Sequence, residues 1–325
     1  MKKIKMFALV ITAAAVLLLT GCGNTADSDA VVVRIGSNRA IGTVTPYLAE
    51  SLGYFDGKEY QIEILEFTDG AALMEAMAAG ELDIGIVGIS PVATWNAKGL
   101  DVRVVASANG GGHVIVTTTE RGFSSVADLQ GKVVAGPSPG TVTDTLVKSY
   151  IFPQYSMTSD DVTMITGMKG ADMITTLVNT DEIDAAVTWE PFISMAELTY
   201  DNIQILFDAS EEWLNDGNQE LYPVNVIAAT GEFCDGNEDE LKDILQTSES
   251  TVNYTENNPQ EACEKMAELL ELDTAVVERA LKRSRLTFKV DVEASMATLK
   301  WACDLGYLDE LPKEDKLFDF NYITG

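Results

Sequence analysis

The strongest constraint in this sequence is a regular exchange of two hydrophobic periods. Short β-branched runs alternate with segments whose apolar residues return every three or four positions, and the pair recurs along most of the chain. VVVRIGS (31–37) is one such run, stopped by Gly and Ser. Thr45-Pro46 then supplies a capping hydroxyl and a proline suited to a first helical turn, and YLAESLGYF continues as a helix ending near Gly53. QIEILEF (61–67) alternates strictly, as a half-exposed strand does, and ALMEAMAAG (72–80) is helical with a terminal glycine. DIGIVGIS (83–90) reads as a buried strand, VATWNAKG (92–99) as a short helix and VRVVASA (102–108) as a further strand. Strand–helix–strand spacing of this regularity predicts a parallel, doubly wound α/β sheet.

Three glycines (110–112) interrupt the series. HVIVTTT (113–119) resumes it as a strand, SVADLQG (125–131) as a short helix, KVVAGP (132–137) as a strand and TVTDTLVKSYIF (141–152) as a helix. After a loop come a helix over 170–179 and the strand DAAVTW (184–189), so a second α/β unit fills about 119–222. PVNVIAAT (223–230) is again β-branched. From 237 the chain is helical, with Leu241, Ile244, Leu245 and Val252 on one apolar face. The acidic run GNEDELKD (236–243) is a solvated helix start, its carboxylates at the positive end of the dipole.

Composition narrows the function classes. Hydrophobic residues at 46% and charged residues at 22% of 325 positions are the balance of a folded protein, with material for two domains. With 51 Asp and Glu against 22 Lys and Arg, the formal charge of −29 makes a phosphate backbone a poor partner and excludes nucleic acid. The chain has one histidine, His113, so a Cys/His zinc site or a Ser-His-Asp device would hang on that residue alone. Cys234, Cys263 and Cys303 lie far apart with no CxxC spacing. They read as buried or half-buried thiols in helices, although an exported chain could pair two of them.

The N-terminus carries an address. Lys2, Lys3 and Lys5 precede an apolar run from Met6 to Leu19. At 1.5 Å per residue that run spans roughly 21 Å, short of the ~30 Å bilayer core, so residues 1–21 read as a secretory signal. The segment closes on Leu19-Thr20-Gly21-Cys22, which resembles a bacterial lipobox. The resemblance implies that Cys22 is diacylated and begins the mature chain, whose acyl chains would hold it at a membrane without spanning it. A plain secretory signal or a membrane helix, with Cys22 incidental, is the alternative. Residues 22–30, small and polar after the cysteine, form a tether.

Four stretches carry a wider resemblance: PYLAESLGYFDG (46–57), LMEAMAAGELDIGIVGISP (73–91), SVADLQGKVVAGPSPGT (125–141) and AAVTWEPF (185–192). In order and spacing the chain is similar to the solute-binding proteins of ABC importers for nitrate, sulfonates and taurine, a family that also includes binders of thiamin pyrimidine precursors. The resemblance implies a two-lobed, type II periplasmic-binding-protein-like α/β fold with two crossover hinge strands and a helical C-terminal segment. On this chain lobe one is then 31–112 plus 230–325, lobe two 119–222, and the crossovers 113–118 and 223–229. It also implies a monomer with neither metal nor prosthetic group and no catalysis. This receptor would sit on the extracytoplasmic face of the membrane. It would capture a small polar or anionic solute and present the closed form to an ABC permease and, through it, an ATPase. A same-fold enzyme and a surface lipoprotein without a transport role are the competing classes.

Ligands of open parallel sheets sit beyond the carboxyl ends of the strands, and here those ends carry small polar residues. Ser37 and Asn38 follow the first strand and can donate hydroxyl and amide hydrogens, or serve only their loop. Arg39 could clamp an anion or lie in solvent. Ser90 and Pro91 fit the cap and first position of the next helix, and a helix mouth facing a cleft also binds acceptors. Gly140 permits close backbone approach, and Thr141 and Thr143 place hydroxyls on the next helix's first turn. By the family resemblance this loop and the Trp189-Glu190 strand end border the cleft. A Glu190 carboxylate pointing inward would favour a zwitterion or a heterocycle over a simple anion. His113 reads as a hinge residue with a hydrogen-bonding role. Trp95, Trp213 and Trp301 read as packing residues, with Trp213 able to reach the cleft rim.

Overall fold

Each β-branched run becomes a strand, and the segments between them return the chain to the same side of its sheet. In the computed structural model, residues 30–67 and 69–323 are described; the signal segment, Cys22 and all of the tether but Ala30 lie outside them. The strands are β1 Val31–Ser37, β2 Tyr60–Glu66, β3 Ile84–Gly88, β4 Val102–Gly111, β5 His113–Thr118, β6 Val133–Gly136, β7 Thr163–Thr166, β8 Ala185–Trp189, β9 Ile203–Asp208, β10 Pro223–Thr230 and β11 Ser284–Leu286. They form a six-stranded sheet in the order β11-β4-β10-β3-β1-β2 and a five-stranded sheet in the order β7-β6-β8-β5-β9.

Both sheets are mixed, which corrects the expectation of a purely parallel one. β1 runs parallel to β2 and β3, but β10 is antiparallel to β3 and β4. In the second sheet β6 is parallel to β7 and β8, while β5 is antiparallel to β8 and β9. The reversal follows from the path of the chain. A strand that arrives from the other sheet enters at the opposite end from a strand delivered by a returning helix.

The chain crosses twice. β4 passes through Gly111 and Gly112, at φ +75° and +98°, straight into β5. The return runs through the helix Ala209–Asn215 and Tyr222 into β10. Strand 113–118 thus belongs wholly to the five-stranded sheet and 223–229 to the six-stranded one, so the chain changes sheets just before each. The two passages are tied together: Gly111 N donates to Tyr222 O at 3.0 Å, and His113 N donates to the Tyr222 hydroxyl at 3.1 Å. Only glycine fits here, because a β-carbon on Gly111 would strike the Arg283 carbonyl and come within 2.6 Å of Ser210 Oγ.

Helices cover both faces of each sheet. On the six-stranded sheet, Leu48, Leu241, Leu245, Met266 and Val277 pack on one face and Leu73, Met77, Val92 and Leu299 on the other. The second lobe buries Leu146, Ile151 and Phe152 on one side and Met173, Leu177 and Ile193 on the other. Val142 joins the first lobe's core and Trp301 that of the second, so the helix Val292–Asp304 is shared between lobes. Among the described residues no helix is long and apolar enough to cross a membrane.

Candidate functional site

Strand directions decide which ends face each other. β4 leaves the first sheet at its carboxyl end, and β1 and β3 run the same way, so their carboxyl ends point toward the second lobe. β5 enters the second sheet at its amino end, and β6, β8 and β9 run against it. The carboxyl ends of β1, β3, β6, β8 and β9 therefore meet across the passage. The expected site residues stand at those ends, but their hydrogen bonds divide them.

Some are already engaged. Ser37 is buried and donates to Thr43 O at 2.8 Å, and Asn38 Oδ1 accepts from Thr43 Oγ1 at 3.0 Å, so both tie down the loop after β1. Arg39 is exposed, 3.6 Å from Glu66 and stacked over Tyr47, away from a clamp geometry. Thr141 caps the helix Val142–Leu146: its Oγ1 accepts from Asp144 N at 3.3 Å and donates to Ser138 O at 3.0 Å. Gly140 takes φ +82°, and the ring of Tyr307 lies 3.5 Å from where a β-carbon would stand. Close approach at Gly140 is thus to a side chain of the first lobe.

Glu190 is the clearest departure from expectation. Its side chain is 1% exposed, Oε1 lies 3.1 Å from Arg283 Nη1, and Oε2 accepts from Ser194 N at 3.3 Å. Burial raises its pKa, against the opposing pull of Ser194 and Arg283. The carboxylate is spent on Arg283 and is no free acceptor for an amine. Trp189 is half-buried and meets Phe192 edge-on at 5.7 Å.

Others are buried and unpartnered. The helix Ile89–Ala97 is capped by Gly88, so Ser90 falls at its second position and Pro91 at its third, rather than at the cap and first position. Ser90 Oγ is buried and has no hydrogen-bond partner. The same is true of the hydroxyls of Thr45, Thr188 and Ser295. Thr45 and Ser90 lie in first turns of helices that follow inward-facing strand ends, and Thr188 lies on β8 itself. Thr143 is buried on the first turn after β6. Sequence reasoning singles out Ser90 and Thr143 but not Thr188 and Ser295, whose signal is only a small hydroxyl amid apolar neighbours.

One charged contact between lobes, from Lys148 to Tyr307, has no sequence signal. Lys148 Nζ lies 2.8 Å from Asp144 Oδ1 and donates to the Tyr307 hydroxyl at 2.7 Å. Burial alone would lower the Lys148 pKa, but the bonds to Asp144 and Tyr307 outweigh it and the net direction is up. His113 is fully buried with Nδ1 2.9 Å from the Tyr222 hydroxyl, and burial lowers its pKa to about 4. Trp213 is a core residue whose Nε1 donates to Glu220 O at 3.0 Å, Trp301 stacks on Tyr150, and Trp95 packs in the first lobe. Cys234, Cys263 and Cys303 are free thiols. A cavity of about 240 Å³ lies beside the two passages, against Gly110, Leu221, Pro223, Val252 and Phe288, and none of the expected solute-binding residues lines it. Among the described residues no group of three or more His, Cys, Asp or Glu is placed to hold a metal ion.

The sequence profile of the NMT1/THI5-like family matches residues 43–262, which span the passage and most of the inward-facing strand ends. The chain belongs to the NMT1/THI5-like family. A Bacillus subtilis (strain 168) protein provisionally named an aliphatic sulfonates-binding protein is 27% identical over 286 residues, covering 85% of this chain and 82% of the relative. An Escherichia coli (strain K12) protein of the same name is 24% identical over 295 residues, covering 89% and 88%. Among solved structures, the periplasmic aliphatic sulphonate binding protein SsuA of Escherichia coli superposes with a TM-score of 0.76 at 22% identity, over 90% of this chain and 94% of that one. The alkanesulfonate-binding SsuA of Xanthomonas axonopodis pv. citri, bound to MOPS, gives 0.69 at 21%, over 90% and 98%. This NMT1/THI5-like chain therefore has the periplasmic-binding-protein fold, with a helical C-terminal region.

Proposed function

We propose that the chain is the extracytoplasmic solute-binding component of an ABC importer, tethered through a lipidated Cys22. It takes up a small organic anion of the sulfonate type between its lobes and presents it to a permease. The reading involves no catalysis. The buried hydroxyls without partners favour this function above others. A buried hydroxyl left unpaired costs about 1–3 kcal/mol, and several at inward-facing strand ends are a standing demand for an acceptor. Sulfonate oxygens answer that demand, and the lone pairs of three such oxygens can be shared among donors from both lobes. Ser90 and Thr143 are the proposed donors, joined by Thr188. Gly140, Pro91 and Trp189 shape the walls, while Ser37, Asn38 and Thr141 hold loops. The relatives named for aliphatic sulfonates, covered over more than four-fifths of their length, support the same solute class.

The test is a melting-temperature series on the full chain purified with its anchor in detergent. About a hundredfold excess of solute over Kd should stabilise it by about 2.7 kcal/mol. Ethanesulfonate and taurine should raise the midpoint. No shift with either, nor with nitrate, refutes the function. A shift with hydroxymethylpyrimidine alone transfers it to heteroaromatic solutes.

A further inference from the structure

Arg283 ends the helix Thr274–Arg283, whose Val277 and Ala280 are buried in the core of the first lobe. Its guanidinium nevertheless serves the second lobe. Nε donates to Asp208 at 2.8 Å, Nη1 to Glu190 at 3.1 Å and to Glu197 at 2.9 Å, and Nη2 to the other oxygen of Glu197 at 3.2 Å. These carboxylates come from the ends of β8 and β9 and from the helix Phe192–Thr199. Arg279, one turn earlier on the same helix, lies 3.2 Å from Glu197. The backbone of Arg283 is fixed at the crossing itself, because its carbonyl accepts from Ser210 Oγ at 2.8 Å, and that same oxygen accepts from Gly112 N at 2.8 Å.

We infer that Arg283 is a positioning residue that sets the closure of the two lobes before solute arrives, by gathering Glu190, Glu197 and Asp208 of the second lobe onto a helix of the first. A fork with five donors suits this task, since one planar group satisfies three carboxylates at fixed angles. Without it, three carboxylates of the second lobe would lose the cation of the first, and the attraction that draws the two lobes together at this wall of the passage would go with it. Removing one partner from a buried ionic cluster is far costlier than never having built it, so the arrangement discriminates strongly between lobe positions that keep the fork and those that do not. The inference rests on the proposed solute-receptor function for its second readout only.

Spin labels on Glu81→Cys and Asp172→Cys, exposed positions in different lobes, read the interlobe distance of the full chain without solute. Arg283→Met should broaden and lengthen that distance, and Arg283→Lys, which keeps the charge but not the fork, should fall between. Should the closed fraction drop tenfold, ethanesulfonate would bind about tenfold more weakly in Arg283→Met. A folded Arg283→Met with an unchanged distance overturns the inference, whatever its melting temperature. If that variant does not fold, Glu197→Gln, which removes one carboxylate held by both arginines, is read in the same way and must lengthen the distance. Failure of the wild-type chain to bind ethanesulfonate counts against the function and leaves the distance measurement standing.

Discussion

Replacing Ser90 by alanine should change stability and affinity in opposite directions. The hydroxyl is 4% exposed by residue and has no partner, and the cap of its helix is Gly88, so the side chain does no capping. Its removal deletes an unpaired buried dipole worth about 1–3 kcal/mol and improves helix propensity by a few tenths, about 0.5 kcal/mol. The small void left behind returns part of this, and unliganded Ser90→Ala should be about 0.5–2 kcal/mol more stable than wild type. The contact between Thr94 Oγ1 and the Ser90 carbonyl, at 2.9 Å, survives because it uses the backbone. In the loaded protein a hydrogen bond to a charged oxygen is lost, worth about 1.5–3 kcal/mol, or about 10- to 150-fold in Kd. Urea unfolding of the unliganded chain and calorimetric titration with ethanesulfonate measure the two quantities separately. A capping serine would behave otherwise, losing about 1 kcal/mol of unliganded stability. Destabilisation of that size together with wild-type affinity would refute the assignment of Ser90 to the solute.

Thr141→Ala removes a cap and should cost about 1 kcal/mol in urea unfolding, with a smaller effect on affinity than Ser90→Ala. Acid should weaken the protein through His113. Its folded pKa of about 4 lies below the unfolded value of 6.5, so the unfolded chain binds the extra proton and stability falls as pH drops from about 6.5 to 4. The loss approaches about 3 kcal/mol at the lower end, and His113→Gln should flatten the unfolding free energy across that window. Glu190, with a raised pKa, acts in the opposite sense in acid, so the difference between variant and wild type isolates the histidine.

Most of the fold is legible because its strands are long and hydrophobic. β10 and the helix at 170–179 fall where the pattern puts them. What escapes is short or polar: β7 is an edge strand of four residues with mostly exposed side chains, and β11 has three residues. β9 and the helices Phe192–Thr199 and Ala209–Asn215 are likewise absent from the sequence reading, being six to eight residues each. The sheets' mixed direction is invisible locally, since nothing in PVNVIAAT tells which end of a sheet it enters. Arg283 could not be found at all from its neighbourhood. Its partners lie 75 to 93 residues away, and a Lys-Arg pair at a helix end is adequately explained by the dipole.

Ser90 and Thr141 show why hydroxyl roles are harder to read than strands. Both stand between an inward strand end and a helix, each beside a proline or glycine, and each fits a capping role on sequence grounds. The difference lies in where the helix begins. Gly88, at φ −55° and ψ 140°, already has the extended backbone of a cap, so the helix starts at Ile89 and takes Ser90 inside. Pro91 is tolerated at the third position because that amide has no helical partner in any case. After β6 the loop 137–140 is longer, Gly140 turns it at positive φ, and the helix waits for Thr141, whose hydroxyl is then consumed by Asp144 N. A shift of two residues in one helix start thus separates a hydroxyl that holds the scaffold from one left without a partner. That shift is set by packing against the sheet, where Ile89 is fully buried, rather than by the capping preference of the residues themselves.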